Sequence, residues 1–323
     1  MKNLLNIPKI ISMMLVAFSL TAAAGPLAPG DANGDGTVTI SDVTTMIDLL
    51  ISNNDPYIDS RLDVDGDGSF TITDVTVLID MLLTGAVPQV ETVTIEVNGV
   101  PFVMVPVQGG TFMMGASYDE TEYANRNEYP PHEVTLSSYY ISQTEVTWEQ
   151  WLAVRAGDTA GFDGDLRSPV VNVNLFDCCL FVDKLTELTG KVFRMPTEAE
   201  WEFAARGGEG GVHLLFAGSN DANEVAWYYD NSEGRPHTVA TKLPNSLGIY
   251  DMSGNVLEWC QDFYYSYGPD PQVNPVGPES GYTNVVRGGG WDWDYMSCRV
   301  TCRASYDPYE RANDLGFRIA MNM

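Results

Sequence analysis

Residues 247–260 read LGIYDMSGNVLEWC, and within them Asp251 and Glu258 stand seven residues apart around Gly254-Asn255. A Gly-Asn pair favours a tight turn, and a turn exposes backbone carbonyls beside the two carboxylates. Hard oxygen donors of this kind suit Ca²⁺. The plainer reading is a capped turn with surface acids. Working outward, Thr197-Glu-Ala-Glu200 starts a helix that should stop at Gly207-Gly208. Thr147-Trp-Glu-Gln150 starts another, expected to stop at Gly157, and a third is expected over Phe176 to Leu188. Upstream, Val93, Ile95 and Val97 alternate on one face, Asn98-Gly99 marks a hairpin turn, and Phe102 to Val107 returns. Between these elements lie long Gly-, Asn- and Tyr-rich stretches, so the fold class is α+β with sparse regular structure. Trp201, Trp227, Trp259, Trp291 and Trp293 are expected to carry much of the packing.

The N-terminal part repeats itself. Residues 31–42 (DANGDGTVTISD) and 63–74 (DVDGDGSFTITD) match with a period of 32 residues. Oxygen-bearing side chains recur at loop positions 1, 3, 5 and 12: Asp31, Asn33, Asp35 and Asp42, then Asp63, Asp65, Asp67 and Asp74. Thr37 and Ser69 offer a carbonyl at position 7, and Gly36 and Gly68 permit the sharp turn at position 6. Two carboxylates about 4 Å apart repel by roughly 4 kcal/mol at an effective dielectric near 20, which favours an ion over an empty loop. A flexible cage with this many oxygens selects Ca²⁺ over Mg²⁺, and the plainer alternative is a solvated Asp/Gly-rich turn. Each loop opens an apolar helix, with Val43, Met46, Ile47 and Leu50 and then Val75, Leu78, Ile79 and Leu82 at helical spacing. Neither Gly25–Gly30 nor Asn53–Pro56 reads as a helix ahead of a loop.

The chain is 323 residues long, with 44 acidic against 17 basic residues and a formal net charge of −27. That balance repels phosphate backbones and argues against nucleic-acid binding. With 44% hydrophobic and 11% aromatic residues, the acid decorates packed protein. Residues 1–24 read as a cleaved signal peptide: Lys2 and Lys9 precede the apolar run Ile10 to Leu20, and Ala22-Ala23-Ala24 supplies small residues. Export to the periplasm, cell surface or medium follows, and no later stretch is apolar enough to span a bilayer. The five cysteines, Cys178, Cys179, Cys260, Cys298 and Cys302, are an odd number, and two are adjacent, which makes a poor disulfide framework. The three histidines, His132, His213 and His237, show no ligand spacing.

Residues 31–84, two loop-helix copies with Asp at position 12, resemble the type I dockerin module, an EF-hand-like fold. The resemblance implies two bound Ca²⁺ ions and docking to a cohesin-type protein partner through positions 10 and 11. Those positions hold Ile40 and Ser41, then Ile72 and Thr73. Ile at position 10 departs from the Ser-Thr pair of cellulosomal examples.

Six phrases of the remaining chain are similar to the formylglycine-generating enzyme (sulfatase-modifying factor) family. They are FVMVPVQGGTFMMG (102–115), HEVTLSSYYISQTEVT (132–147), RMPTEAEWEFAARGG (194–208), LGIYDMSGNVLEWC (247–260), VRGGGW (286–291) and NDLGFR (313–318). The resemblance implies a C-type-lectin-like fold and a structural Ca²⁺ held by the side chains of Asp251 and Glu258 and the carbonyls of Gly254 and Val256. The family's oxidase holds Cu(I) between two cysteines five residues apart and converts a substrate Cys to formylglycine. Aligned on Arg287-Gly-Gly-Gly290, the second cysteine is Cys298 and the first position is Trp293; Gly290 replaces the catalytic Ser, and Leu257 replaces a Trp. The pair is broken, and two soft thiolates are what Cu(I) prefers.

The expected organisation is signal peptide 1–24, dockerin-like calcium module 25–84, linker 85–92 and sulfatase-modifying-factor-like domain 93–323. The expected function is a non-catalytic, exported calcium-binding protein that docks to a protein partner. Tyr228, Tyr229, Trp291, Trp293 and Tyr295 offer a surface for a glycan or peptide. The competing reading is a copper-dependent oxidase using Cys298, and a divergent oxidoreductase with another metal would need grouped histidines.

Overall fold

Two units divide the chain at Pro88/Gln89. The computed structural model describes residues 32, 40–52, 62, 64, 70–84, 92–118, 122–159, 162, 164–209, 211 and 213–323. The expected signal peptide, the linker up to residue 91 and the cage residues Asp31, Asn33, Asp35, Thr37, Asp63, Asp65, Asp67 and Ser69 lie outside the described residues. So do the stretches 25–30 and 53–56.

In the first unit the two repeats yield helices α1 (Ile40–Ser52) and α2 (Ile72–Thr84). Neither is long enough to be stable alone in water, so both depend on burying an apolar stripe. Val43 and Met46 meet Val75 and Leu78, and Leu62 and Val64 complete the core. The position-12 carboxylates, Asp42 and Asp74, are wholly buried at the starts of these helices. Asp74 accepts hydrogen bonds from the Val64 and Thr71 amides at 2.8 and 2.7 Å, which ties its loop to α2. Ile40 and Ile72, by contrast, are each 67% exposed.

In the second unit, β1 (Val93–Val97) and β2 (Val100–Val107) form the expected hairpin. Asn98 and Gly99 adopt φ of 52° and 83°, the left-handed pair a tight two-residue hairpin turn needs. The following strands are β3 (Gly110–Met114), β4 (His132–Leu136) and β5 (Tyr139–Ser142). Helices α3 (Trp148–Val154) and α4 (Leu175–Thr189) come next, then β6 (Phe193–Arg194), α5 (Glu198–Ala205) and the short α6 (Ala222–Val225). The chain closes with β7 (Leu257–Phe263), β8 (Gln272–Val273), β9 (Asn284–Arg287), β10 (Arg303–Tyr306), β11 (Leu315–Gly316) and β12 (Ala320–Asn322). Three curled sheets result, ordered β1-β2-β5-β12-β6, β10-β9-β7-β11 and β3-β4-β8. The last strand thus sits between β5 and β6, which closes the unit end to end.

Reciprocal caps start the helices: Thr147 with Gln150, Asn174 with Asp177, and Thr197 with Glu200. Helix α3 ends at Val154, ahead of the expected stop at Gly157, because Arg155 leaves the helical region. There its guanidinium lies 4.9 Å from the Trp151 ring centre and pairs with Asp158. Trp151 stacks on Phe181 at 5.3 Å, and Phe317 meets both rings edge-on, joining α3, α4 and the C-terminal segment. The tryptophan expectation needs correction. Trp201 and Trp259 are wholly buried, but Trp148 and Trp151 supply the other large indoles of the core, while Trp227, Trp291 and Trp293 are half-buried.

Helix α5 is buried along its whole length, including Glu198, Glu200 and Glu202. Charges this deep persist only when paired and hydrogen-bonded. Glu198 pairs with Arg303 at 2.6 Å and with Arg287 at 3.0 Å, and Glu200 pairs with Arg194 at 2.6 Å. Glu202 pairs with Arg206 at 2.8 Å and also with Arg287. The arginines of β9 and β10 thereby lock onto the helix that runs behind the 251–258 turn.

Candidate functional site

Asp251, Gly254 and Asn255 all lie in the left-handed region, with φ of 59°, 77° and 61°. A side chain at Gly254 would run into the Trp227 backbone, so the close approach demands glycine. The turn is pinned on three sides. Gly254 donates to Gly288 O and Asn255 N donates to Trp227 O, each at 2.8 Å. The Asn255 side chain accepts from His237 N at 2.8 Å and donates to Glu145 at 2.9 Å. The Val256 amide donates to the other Glu145 oxygen at 3.1 Å. Glu145 is therefore a central residue that the sequence reading missed; no other carboxylate stands near it in sequence at a motif spacing that would betray it.

Of the ligands expected here, Asp251 is buried, and its carboxylate accepts from Ala240 N at 2.8 Å. Glu258 is wholly buried and accepts from Arg318 at 2.6 Å on each oxygen and from Trp201 Nε1 at 2.6 Å. Three buried carboxylates, Glu145, Asp251 and Glu258, thus act on one another around the guanidinium of Arg318. Burial, reinforced by Asp251 and Glu258, pushes Glu145 well above the usual carboxylate range, and burial raises Asp251 to about 6. An excess of buried negative charge beside a carbonyl-bearing turn is the electrostatic setting for a hard cation. Among the described residues no group of three or more His, Cys, Asp or Glu side chains is placed to hold a metal by itself. A cation at the turn would therefore draw on the Gly254 and Val256 carbonyls.

The place that the resemblance would assign to copper has a different character. The Trp293 indole donates to Asp314 at 2.8 Å and fills the space above Gly290, whose added Cβ would meet Trp293 and Asp314 at 3.4 Å. Cys298 is wholly buried against Gly289, with its sulfur 3.9 Å from Asp294 O. Burial, with Cys302 and Asp294 adding, drives its thiol far above the usual range. Cys302 is half-buried, and burial pushes its thiol up to about 11. All five cysteines are free. Soft-metal binding needs thiolates, and an indole offers no equivalent donor, so these residues do not fit the family's copper centre. The arginines around Cys298 are structural. Arg299 forms two 2.8 Å bonds to buried Glu128, and Arg303 forms bonds of 2.7 and 2.6 Å to Glu198.

The expected aromatic surface is partly corrected. Tyr228 is buried in a small core with Phe216, Val225 and Cys298, because its hydroxyl finds Asn223 at 2.9 Å. Tyr229 and Tyr295 are exposed, and Trp291 and Trp293 are half-buried. The histidines are dispersed. His132 is buried in β4, His213 is exposed, and His237 stacks on Trp227 at 3.8 Å.

A curled mixed α/β unit with a pinned Asp-x-x-Gly-Asn-x-x-Glu turn defines the class. Residues 94–323 match the sulfatase-modifying factor enzyme 1-like domain, and the chain belongs to that family; residues 29–83 match the dockerin type I domain. A chaperone protein LppX of Paenibacillus barcinonensis is 30% identical, over 67% of this chain and 88% of that protein. A formylglycine-generating enzyme of Streptomyces coelicolor is 29% identical, with the same shares. The solved Treponema denticola variable protein 1 superposes with a TM-score of 0.66 at 31% identity, covering 72% of this chain and 99% of that one. No described helix is long and apolar enough to cross a membrane.

Proposed function

We propose that this chain is an exported, calcium-binding protein in which the dockerin module attaches to a cohesin-type partner and the larger domain is a non-catalytic binding module. The observation that carries the reading is Trp293, whose indole, bonded to Asp314, stands where the resemblance puts the leading copper cysteine, so that Cys298 is the one aligned thiol and is wholly buried. Relatives named as a chaperone and as a formylglycine-generating enzyme are about equally similar to this chain, which supports treating chemistry as a property of the site. Segment 1–24 directs export, residues 25–84 form the module, 85–92 link it, and 93–323 adopt a C-type-lectin-like arrangement.

Calcium enters the reading in two places. Two ions bind the loops at Asp31, Asn33, Asp35, Thr37 and Asp42 and at Asp63, Asp65, Asp67, Ser69 and Asp74. One more is held at Asp251, Gly254, Val256 and Glu258, where it offsets buried negative charge and ties the turn to β7. Docking uses Ile40, Ser41, Ile72 and Thr73; the equal 67% exposure of both isoleucines supports this, because each leaves an apolar side chain for a partner to cover. Tyr229, Trp291, Trp293 and Tyr295 face the glycan or peptide ligand.

The decisive experiment incubates the protein with Cu(I), O₂ and a cysteine-containing sulfatase peptide and follows formylglycine by mass spectrometry. No conversion is expected. Turnover that disappears in Cys298→Ser would replace this reading with the oxidase. For the first unit, chelation of calcium is expected to remove the helical signal of residues 40–52 and 72–84. An unchanged spectrum would mean that the loops are not cages.

A further inference from the structure

Four successive amides of the 251–258 turn are tied to four different segments. Gly254 N donates to Gly288 O and Asn255 N to Trp227 O, each at 2.8 Å; Val256 N donates to Glu145 Oε1 at 3.1 Å, and Leu257 N to Asp314 O at 2.7 Å. These peptides are trans, so in each plane the carbonyl points opposite to the N–H. The Gly254 carbonyl therefore points away from the Trp227 backbone, and the Val256 carbonyl away from the Asp314 backbone. The plane between them joins Asn255 to Val256 and sets how those two carbonyls are turned relative to each other, because its rotation is shared by ψ of Asn255 and φ of Val256. Of the four acceptors, the one on this middle plane is a side chain, Glu145; the other three are backbone.

Glu145 grips the plane and the residue that enters it. One carboxylate oxygen takes Val256 N and the other takes Asn255 Nδ2 at 2.9 Å. Asn255 stands at φ of 61°, a conformation that a residue with a Cβ keeps when its surroundings enforce it. The grip is itself anchored. Glu145 is wholly buried, Val146 N after it donates to Phe317 O at 2.9 Å, and Gln143 O before it accepts from Tyr250 N at 2.9 Å. The other two carboxylates are already engaged: both Glu258 oxygens accept from Arg318, and Asp251 accepts from Ala240 N. A cation at the turn thus depends on the two carbonyls, and through them on the plane that Glu145 holds.

We propose that Glu145 is a positioning residue for Ca²⁺ at the 251–258 turn: by holding Val256 N and the Asn255 side chain with one carboxylate, it aims the Gly254 and Val256 carbonyls and sets the affinity of the site. The inference rests on the calcium reading of that turn. Glutamine cannot take over the role. Its amide presents one acceptor and one donor where Glu145 meets two donors, so one N–H is left facing another. Turning the Asn255 amide over to relieve this takes the acceptor away from His237 N, which it meets at 2.8 Å.

The test titrates the full chain with Tb³⁺, a hard cation that takes oxygen donors as Ca²⁺ does, exciting its emission through tryptophan and then displacing it with Ca²⁺. All seven tryptophans lie between residues 148 and 293, so the first unit and its acidic loops contribute none. A calcium-displaceable signal is expected from the parent. Glu145→Gln should weaken binding roughly ten- to hundredfold, the usual cost of losing a group that orients a metal ligand. Asn255→Gly keeps the left-handed backbone without the side-chain grip and should weaken binding as well. Asp262→Asn removes a buried carboxylate that accepts from Glu198 N, and should leave the affinity unchanged. Near-ultraviolet circular dichroism matching the parent separates lost binding from lost fold, and Asn255→Gly decides where Glu145→Gln does not fold. A parent without the signal overturns the calcium reading and this proposal with it. A parent that binds, alongside a folded Glu145→Gln or Asn255→Gly of equal affinity, overturns the proposal alone.

Discussion

Arg318 is the guanidinium that bonds Glu258 and acts on Glu145 and Asp251, and replacing it with Met measures what that charge does. Its side chain is wholly buried and makes four hydrogen bonds: two to Glu258 at 2.6 Å, one to Ser142 O at 3.1 Å and one to Tyr250 O at 3.0 Å. Removing one member of a buried ion pair leaves an uncompensated charge, which costs about 3–5 kcal/mol. For a domain of this size each kcal/mol shifts the melting temperature by about 2–4 °C, so Arg318→Met should melt roughly 6–20 °C lower. Glu258→Gln keeps an acceptor for Trp201 Nε1 while removing the charge. In the double variant the penalty should be much less than the sum, with a coupling energy of about 2 kcal/mol or more. Urea melts of the four proteins, at fixed salt and with calcium fixed at zero or at millimolar level, provide the comparison. A single-variant loss under about 1 kcal/mol, or strict additivity, would refute the electrostatic reasoning.

Burial, and then Glu198, raise Asp262 to about 7, against an ordinary value of 3.8. An acid whose folded pKa is raised takes up a proton on folding, so its contribution falls as pH rises from about 4 to 7 and is flat above. Asp262→Asn should therefore be the more stable protein at pH 8, by up to about 4 kcal/mol, with the advantage vanishing near pH 4 in paired melts. Gly254→Ala is expected to cost well over 1 kcal/mol in denaturant melts, because the left-handed φ and the Trp227 backbone both reject a Cβ. Cys178, Cys260 and Cys298 are buried with thiols raised well above the usual range, so at pH 8 they should resist iodoacetamide until urea unfolds the domain, as read by intact mass.

Local chemistry accounts for what was legible early. Thr147 and Thr197 with their partners three residues on, and Asn98-Gly99 between alternating strands, act within one turn of chain, so composition reveals them. The hidden features are those whose partners are distant in sequence. Glu145 reaches Asn255 and Val256 across some 110 residues, and Glu198 reaches Arg303 across 105. A glutamate on a short helix reads as solvated until the arginines of other strands arrive around it. Tyr228 misled for a related reason: an aromatic beside exposed Tyr229 looks like surface, yet the bend of the chain turns it to the core.

By itself the amino-acid order determined the duplicated acidic loops with their apolar helices, the capped helix starts and the hairpin, because each is a matter of residue type at short spacing. Only the tertiary structure decided that Glu145, Asp251 and Glu258 gather around Arg318 and that Cys298 is sealed in the interior. Those depend on burial and on the meeting of distant segments, and burial sets the energy of a charge while leaving no mark on its neighbours in the chain.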